Sequence, residues 1–381
     1  MSYKLKDLDI EVLDLDKSPD TRWVDLVKKY ENEIRDAYDI LYDRIYQLVG
    51  AYGQCCFDKL VSAIVNGYGS RNHYYDELMS ISKALDVPFH KVVVSQYGYE
   101  MFAACSSAVY KTAKFMGKEC ETKTYHLRTM DWNDNSLRPL TIQLKIMKDG
   151  KLVGDTTTWV GFIGFFTIVK PGLCSLSINY RRNKPIEPHR NLWGILMGRK
   201  PISYLVRDAI LNNDNYDDIV KLLKFTPLSA PCYITLAHVD FKESMILVRD
   251  RCDCHTFLPN TYNTYLFQSN NDPWDHKEST NRNESIKRRQ VFDYVHKKLI
   301  SLPPIHSKDE ILSTFLQEPI LKFNNIYCNV MVPSDLEEPN YTKYMLPGKD
   351  LRLMIDGTVL KFWNQIPPDH FEKDEDDKKN D

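Results

Sequence analysis

Cys105, Arg128 and Asp131 lie in one stretch of the chain and together could perform thiol chemistry. This stretch, residues 102–132, reads FAACSSAVYKTAKFMGKECETKTYHLRTMDW. Cys105 is placed where a helical region gives way to a predicted strand, and a predicted β-hairpin separates it from Arg128. Because the thiolate is the reactive form and a neighbouring cation favours it, this combination is typical of a cysteine nucleophile.

Each of these residues also has a purely structural interpretation. Most free cysteines are small buried hydrophobes, and the residues around Cys105 alone favour that interpretation. Arg128 and Asp131 could form a surface ion pair, which contributes little free energy. Residues 268–274 (QSNNDPW) end a predicted strand and are expected to form a turn. The amides of that turn could nevertheless donate to an oxyanion.

Residues 252–255 (CDCH) resemble one half of a metal site. A structural zinc site needs four ligands, usually from two separated pairs. No second cysteine or histidine pair with suitable spacing accompanies this one in the sequence. We therefore predict no metal and no cofactor.

Composition limits the class of protein and its partners. The chain has 381 residues, of which 43% are hydrophobic and 27% charged, and its formal net charge is -2. Such a chain is expected to be a soluble globular protein without a nucleic-acid partner. No stretch approaches the roughly 18 apolar residues that span a bilayer. The nine cysteines form no regular framework, which favours a reducing compartment.

The elements that must position these residues change in character at Cys105. Residues 9–13 are predicted to form one strand, and apolar spacing predicts one long helix, or two joined end to end, over residues 23–52. Helical spacing continues over residues 56–65. Strands then alternate with helices, among them a helix at 201–212 and a strand at 232–238, and strands at 325–331 and 351–356 are predicted to close the domain. This order predicts an α+β fold in which helices pack on antiparallel sheets.

Five short motifs follow one another along the chain. They are ACSSAV at 104–109, LRTMDW at 127–132, GFIG at 161–164, KPGL at 170–173 with SIN at 177–179, and QSNNDPW at 268–274 with Arg282 beyond it. This series resembles the acid ceramidase and N-acylethanolamine-hydrolysing acid amidase family, which contains N-terminal-nucleophile (Ntn) cysteine hydrolases distantly related to choloylglycine hydrolases. The similarity runs from about residue 21 to residue 332, and the order of the motifs indicates the family more than any one motif does.

The resemblance implies an αββα sandwich of antiparallel sheets. Residues 1–104 would be a helical amino-terminal segment, residues 105–370 the catalytic domain, and residues 371–381 a disordered acidic tail. Self-cleavage between Ala104 and Cys105 would leave the two fragments associated as a heterodimer.

The resemblance also implies a role for each residue at the nucleophile. Cys105 would be the nucleophile and, through its freed α-amine, the general base, since such amines have a pKa near ~8. Asp131 would orient this amine, and Arg128 would favour the thiolate.

Further residues would hold the substrate. Asn270 would donate to the oxyanion, and Arg282 would support the same site. Gly161 and Asn179 are expected to bind substrate. The implied substrate is a lipid amide, either an N-acylethanolamine or a ceramide, hydrolysed to a fatty acid and an amine through a Cys105 thioester. Peripheral membrane contact would serve to extract it.

Several departures from the family pattern keep other functions open. Leu127 replaces a glycine, Tyr180 stands where a glutamate is common, and the hairpin after Cys105 is longer than usual. The chain could be a catalytically inactive binding or scaffold protein, or an acyltransferase that uses the same thioester. Family members are lysosomal, whereas this sequence shows no signal peptide, so we expect a cytoplasmic protein.

Overall fold

Two eight-stranded β-sheets form the centre of the molecule in the computed structural model. The structure describes residues 3–49, 55, 58–59, 61–63, 65, 74–97, 104–116, 119–132, 135–181, 190–191, 194, 199–260, 265–274, 283–301, 307–322, 324–347, 354–355 and 358–359. The helix predicted at residues 56–65 falls largely outside these ranges, and Arg282 and the acidic tail fall wholly outside them.

The first sheet carries the strand that begins at Ala104. Its strand order is β12-β3-β4-β13-β14-β1-β15-β16. Its strands are β1 (Tyr3–Asp7), β3 (Ala104–Met116), β4 (Glu119–Asp131), β12 (Tyr265–Gln268), β13 (Asn325–Met331), β14 (Asn340–Pro347), β15 (Met354–Ile355) and β16 (Thr358–Val359).

The second sheet faces the first and has the order β11-β10-β9-β8-β7-β6-β5-β2. Neighbouring strands are antiparallel in both sheets except for the parallel pairs β2–β5 and β1–β15. Its strands are β2 (Ile10–Asp14), β5 (Thr141–Lys148), β6 (Lys151–Trp159), β7 (Thr167–Lys170), β8 (Cys174–Tyr180), β9 (Cys232–His238), β10 (Met245–Arg249) and β11 (Cys254–Phe257).

Helices cover the outer faces of both sheets, because each sheet has an apolar face to bury there. α7 and α8 pack on the first sheet, with Phe292 and Phe315 against Ala108 and Leu127. α5 and α6 share the core of the second sheet, with Leu205 and Leu223 among its buried residues. The helices are α1 (Val24–Lys29), α2 (Glu31–Val49), α3 (Tyr75–Leu85), α4 (Phe89–Ser95), α5 (Ile202–Leu211), α6 (Tyr216–Phe225), α7 (Asn283–Ser301) and α8 (Lys308–Phe315).

The amino-terminal segment differs from its prediction. Instead of one strand at residues 9–13 there are two, and each joins a different sheet: β1 pairs with β14 and β2 with β5. The helical stretch that begins at Val24, by contrast, matches the second predicted alternative: it is two helices joined end to end, because Tyr30 (φ -120, ψ 29) leaves the helical conformation between them. None of the helices within the described ranges is both long enough and apolar enough to cross a bilayer.

The closing strands also differ from their prediction. The strand at 325–331 is confirmed as β13, but it pairs with β4 and β14, and the sequence pattern had not indicated β14. Residues 354–355 pair with β1 instead. β14 (NYTKYMLP) is hard to recognise because Asn340 and Thr342 are buried in polar contacts between the sheets.

Candidate active site

Cys105 is the second residue of β3 and faces the second sheet from the interior of the first. It lies opposite Met130 on β4, and its side chain is 0% exposed. Its Sγ is 3.5 Å from the Met130 Sδ. β3 pairs with β4 on one side and with β12 on the other. The thiol is therefore held in a fixed, dry position.

Arg128 points its guanidinium at this thiol. Arg128 Nη2 donates to Cys105 Sγ at 2.9 Å, and Nη1 donates to Asn179 Oδ1 at 2.6 Å and to Ser107 Oγ at 3.1 Å. The alternative of a surface ion pair between Arg128 and Asp131 is wrong, because both side chains are 0% exposed. They lie three residues apart on β4, so they face opposite sides of the sheet.

The backbone of Cys105 is fixed on both sides. Its N–H donates to Asn270 Oδ1 at 3.0 Å. Its carbonyl accepts from Asn179 Nδ2 at 3.1 Å and from Arg288 Nη1 at 2.9 Å. The structure thus brings Cys105, Arg128, Asn179 and Asn270 together, and their catalytic and binding roles remain predictions.

Asn270 makes different contacts from those its predicted role describes. Its oxygen accepts from the Cys105 N–H, while its Nδ2 donates to the Tyr180 carbonyl at 2.8 Å. In the intact chain this amide therefore orients the nitrogen that self-cleavage would free. Its donation to an oxyanion remains a prediction.

Asp131 reaches the cluster from the helix-covered side of the first sheet. Ala104 at the start of β3 pairs with Asp131 in register. The carboxylate accepts from Asn325 Nδ2 and lies 3.5 Å from Arg288 Nη1. Burial raises the pKa of the Asp131 carboxyl, while the charges of Lys322, Arg288 and Arg128 oppose that rise. Asp131 and the Cys105 nitrogen are thus connected through Arg288 and Asn270.

Arg288 is the site residue that the sequence interpretation missed. It donates to Ser106 Oγ at 2.8 Å and to Asn270 Oδ1 at 2.9 Å, besides its contacts with Cys105 and Asp131. A signal for it exists in the sequence. Val291, Phe292 and Val295 form the buried side of α7. They follow Arg288 at intervals of three, four and seven residues, so Arg288 lies on the same apolar side of the helix. Such an arginine needs a buried partner.

Gly161 lies in the turn after β6 and contacts the amino-terminal helices. Its carbonyl accepts from the Tyr38 hydroxyl and from Gln96 Nε2 at 3.0 Å. Its φ of +92 favours glycine, and a Cβ there would lie 2.8 Å from the Tyr38 Oη. A substrate-binding role for Gly161 remains a prediction.

The CDCH stretch forms a bend and the start of β11, at the edge of the second sheet. Within the described part of the chain, no three histidine, cysteine, aspartate or glutamate side chains are grouped so that they could hold a metal.

Sequence relatives identify the family to which these motifs are similar. The chain is 26% identical over 339 residues to an N-acylethanolamine-hydrolyzing acid amidase of Rattus norvegicus, covering 87% of this chain and 86% of the relative. It is 28% identical over 342 residues to an acid ceramidase of Pan troglodytes, covering 80% and 82%. The resemblance to the acid ceramidase and N-acylethanolamine-hydrolysing acid amidase family is confirmed. No family model matches the chain.

A solved structure supports the predicted architecture of this chain. The Caenorhabditis elegans ortholog of N-acylethanolamine-hydrolyzing acid amidase superposes with a TM-score of 0.51 at 19% identity. The match covers 64% of this chain and 100% of that structure. The predicted αββα Ntn-hydrolase fold is therefore confirmed.

Proposed function

We propose that this protein hydrolyses the amide bond of a lipid amide, with Cys105 as the nucleophile. One observation carries the proposal: Arg128 Nη2 lies 2.9 Å from the Cys105 Sγ, in a site where side chains bind both the N–H and the carbonyl of Cys105. A guanidinium in hydrogen-bonding contact with a buried thiol favours the thiolate. The curated relatives are named for amidase and ceramidase activity, which supports the same reaction class.

Activation would be a self-cleavage at the Ala104–Cys105 bond. The Cys105 sulfur attacks the Ala104 carbonyl carbon, the carbon–nitrogen bond breaks, and the thiol proton passes to the departing nitrogen. Water then hydrolyses the thioester and releases the Ala104 carboxylate. The products are residues 1–104 and residues 105–381, the second with a free amine beside its own thiol. Asn270 Oδ1 already accepts a hydrogen bond from this nitrogen, which favours retention of the amine in place.

Hydrolysis of the substrate would repeat this chemistry on an external amide. The free amine takes the Cys105 proton, the thiolate attacks the amide carbonyl, and the oxyanion is stabilised by hydrogen-bond donors. The amine product leaves with a proton, and water then releases the fatty acid from the Cys105 thioester. Asn179 Nδ2 and Arg288 Nη1 are the donors that contact the Cys105 carbonyl.

The apolar surroundings of the site favour a lipid acyl group. Met130 touches the thiol, and a row of buried aromatic side chains begins directly after Asp131. The Trp132 ring centroid lies 5.4 Å from that of Trp159, which lies 5.6 Å from that of Phe162. Such surroundings suit the acyl chain of an N-acylethanolamine or a ceramide, which we propose as the substrate classes.

Intact mass spectrometry of the purified chain at neutral and acidic pH tests the proposal. We expect a new amino terminus at Cys105 in the unaltered protein and an uncut chain in Cys105→Ala. Cys174→Ala is the matched control, because Cys174 is also a buried strand thiol and burial raises its pKa to about 12. This control should cleave normally.

An unaltered chain that stays uncut at every pH would contradict the proposal and favour a binding or scaffold protein. Incubation of the cleaved protein with a ceramide or an N-acylethanolamine then measures fatty-acid release. Added amines that capture the acyl group faster than water does would favour an acyltransferase.

A further inference from the structure

Behind Arg128, two strands from opposite sheets face each other with polar side chains. On β4, His126 and Arg128 are two residues apart and lie on the same side of the strand. On β8, Ser175, Ser177 and Asn179 alternate in the same way. All five side chains are buried. The proposed reaction uses Arg128 and Asn179 and leaves the histidine and the two serines unexplained.

Hydrogen bonds join the histidine to the nucleophile. His126 Nδ1 lies 2.9 Å from Ser175 Oγ, and His126 Nε2 lies 2.8 Å from Ser177 Oγ. Ser177 Oγ lies 2.8 Å from Ser107 Oγ, which is 2.7 Å from Asn179 Oδ1. Arg128 Nη1 contacts both Ser107 and Asn179, and its Nη2 contacts the Cys105 Sγ. The path from imidazole to thiol is therefore continuous.

The direction of each hydrogen bond can be assigned from the groups at the Arg128 end. Asn179 Nδ2 faces the carbonyls of Cys105, Gln268 and Ser269, so its Oδ1 is the atom that faces Arg128 and Ser107. Ser107 must donate its single proton to this oxygen, since two acceptors would otherwise lie 2.7 Å apart. Ser107 therefore accepts from both Arg128, which only donates, and Ser177.

The same reasoning assigns the tautomer of His126. Ser177 uses its proton on Ser107, so it must accept from His126 Nε2–H. His126 Nδ1 is then the acceptor for the Ser175 hydroxyl. Burial, with a smaller contribution from the Arg128 charge, lowers the pKa of His126 to about 3, which agrees with a neutral ring.

We infer that His126 is a positioning residue for the nucleophile, acting through Ser177 and Ser107 to hold Arg128 against the Cys105 thiol. Because His126 donates to Ser177, the Ser177 hydroxyl must donate to Ser107. The Ser107 hydroxyl can then donate to Asn179 Oδ1 while its oxygen accepts from Arg128 Nη1. The inference rests on the proposed role of Cys105 as nucleophile, but the contact that it explains is independent of any substrate.

The test measures the pH at which the Cys105 thiolate forms. The readout is ultraviolet absorbance, which rises when a thiol becomes a thiolate. The absorbance of each variant is corrected by subtracting that of the same variant with Cys105→Ser, which leaves the Cys105 signal. We expect thiolate formation in H126F and S177A to move upward by on the order of one pH unit, because Arg128 loses its fixed contact with sulfur. H126Q should stay close to the unaltered protein, since a glutamine amide can donate to Ser177 and accept from Ser175.

S175A is the matched control for S177A. Both substitutions remove one buried hydroxyl from β8 beside His126, but only Ser177 lies between His126 and Arg128. We expect S175A to titrate within a few tenths of a pH unit of the unaltered protein. In amide hydrolysis, H126F and S177A should lower kcat by about tenfold or more with little change in KM.

Folded H126F and S177A proteins that titrate like the unaltered chain would overturn the inference. Equal shifts in S175A and S177A would also overturn it, as would failure of both H126F and S177A to fold, because His126 would then serve stability alone. The expected titration shifts in a protein that hydrolyses no lipid amide would support the positioning role and contradict the proposed function.

Discussion

At the scale of single residues, Arg288 joins four parts of the candidate site. Its guanidinium contacts the Cys105 carbonyl, Ser106 Oγ, the Asp131 carboxylate and Asn270 Oδ1. Arg288 therefore positions Asn270 Oδ1, which accepts from the Cys105 N–H. It also places a positive charge beside the Ala104–Cys105 bond, which self-cleavage would break. The family resemblance had assigned the support of the Asn270 site to Arg282.

We predict that R288Q slows self-cleavage and amide hydrolysis on the order of a hundredfold, because a donor and a positive charge leave the site. K287Q is the control, since Lys287 neighbours Arg288 on α7 but is exposed. The measurement is the rate at which the cleaved fragments accumulate, followed by mass spectrometry. R282Q tested in parallel shows whether Arg282 shares the role. An R288Q protein that cleaves at the unaltered rate would contradict the assignment to Arg288.

The sequence allowed part of this site to be predicted. Cys105 and Arg128 could be paired because their spacing matches a hairpin and the motifs match a family. The contacts of Arg288 and His126 depend on which face of a helix or strand meets the opposite layer. That is set by packing between elements distant in sequence, which local patterns do not contain.

At the scale of elements, a buried ion pair joins α3 to α5. Glu77 on α3 is 3% exposed and accepts from Arg207 on α5, with Nη1 at 2.7 Å and Nη2 at 2.8 Å. Trp23 Nε1 and Arg22 Nη1 donate to the same carboxylate at 2.5 Å and 3.2 Å. Cleavage after Ala104 would place Glu77 and Arg207 on different fragments. This pair would then help to hold the heterodimer together.

We predict that E77Q lowers the free energy of unfolding by about 3 kcal/mol, because it leaves the buried Arg207 charge without its counterion. Denaturant unfolding measures this loss, and size-exclusion chromatography of the cleaved protein should show its fragments separating at lower denaturant. E31Q is the control: Glu31 pairs with Arg35 on the surface of α2, so the loss should stay below about 0.5 kcal/mol. Equal losses in E77Q and E31Q would contradict the role of the buried pair.

The elements were predictable where apolar residues recur at helical or strand spacing between clear turn signals. The helix expected at 201–212 is α5, and the strand expected at 232–238 is β9 with the same ends. β1 and β14 were not separately indicated, because β1 has only Tyr3 and Leu5 as apolar residues and β14 begins with the mixed segment NYTK. Their pairing with each other stabilises them instead.

At the scale of the whole molecule, a polar layer lies between the sheets beside β6. Asp155 accepts from Gln143 Nε2 at 3.1 and 3.0 Å and from Asn340 Nδ2 at 3.1 Å, so groups from both sheets meet at one carboxylate. Burial raises the pKa of Asp155 to about 6, although the Asn340 and Gln143 contacts oppose the rise. The Asp155 carboxylate therefore binds a proton more tightly in the folded state than in the unfolded chain.

The sign of the pH dependence follows from this rise. The Asp155 contribution to the free energy of unfolding is fully present below its unfolded pKa near 3.8 and is lost as pH rises through about 6. We predict that the unaltered protein gains on the order of 2 kcal/mol relative to D155N between about pH 7 and about pH 4. Denaturant unfolding across this range measures the difference. D253N is the control: Asp253 is exposed, so the free energy of unfolding of D253N should vary with pH as that of the unaltered protein does. The same pH dependence in D155N would contradict the prediction.

The pairing of β1 with β14 has a consequence for how the chain acquires its structure during synthesis. These strands are far apart in sequence, so β1 is synthesised long before β14 and must wait for its partner. Contacts of such long sequence separation form slowly, and unpaired strand edges promote aggregation. Expression should therefore be sensitive to bulky fusions before β1, and chaperones should raise the yield of folded protein.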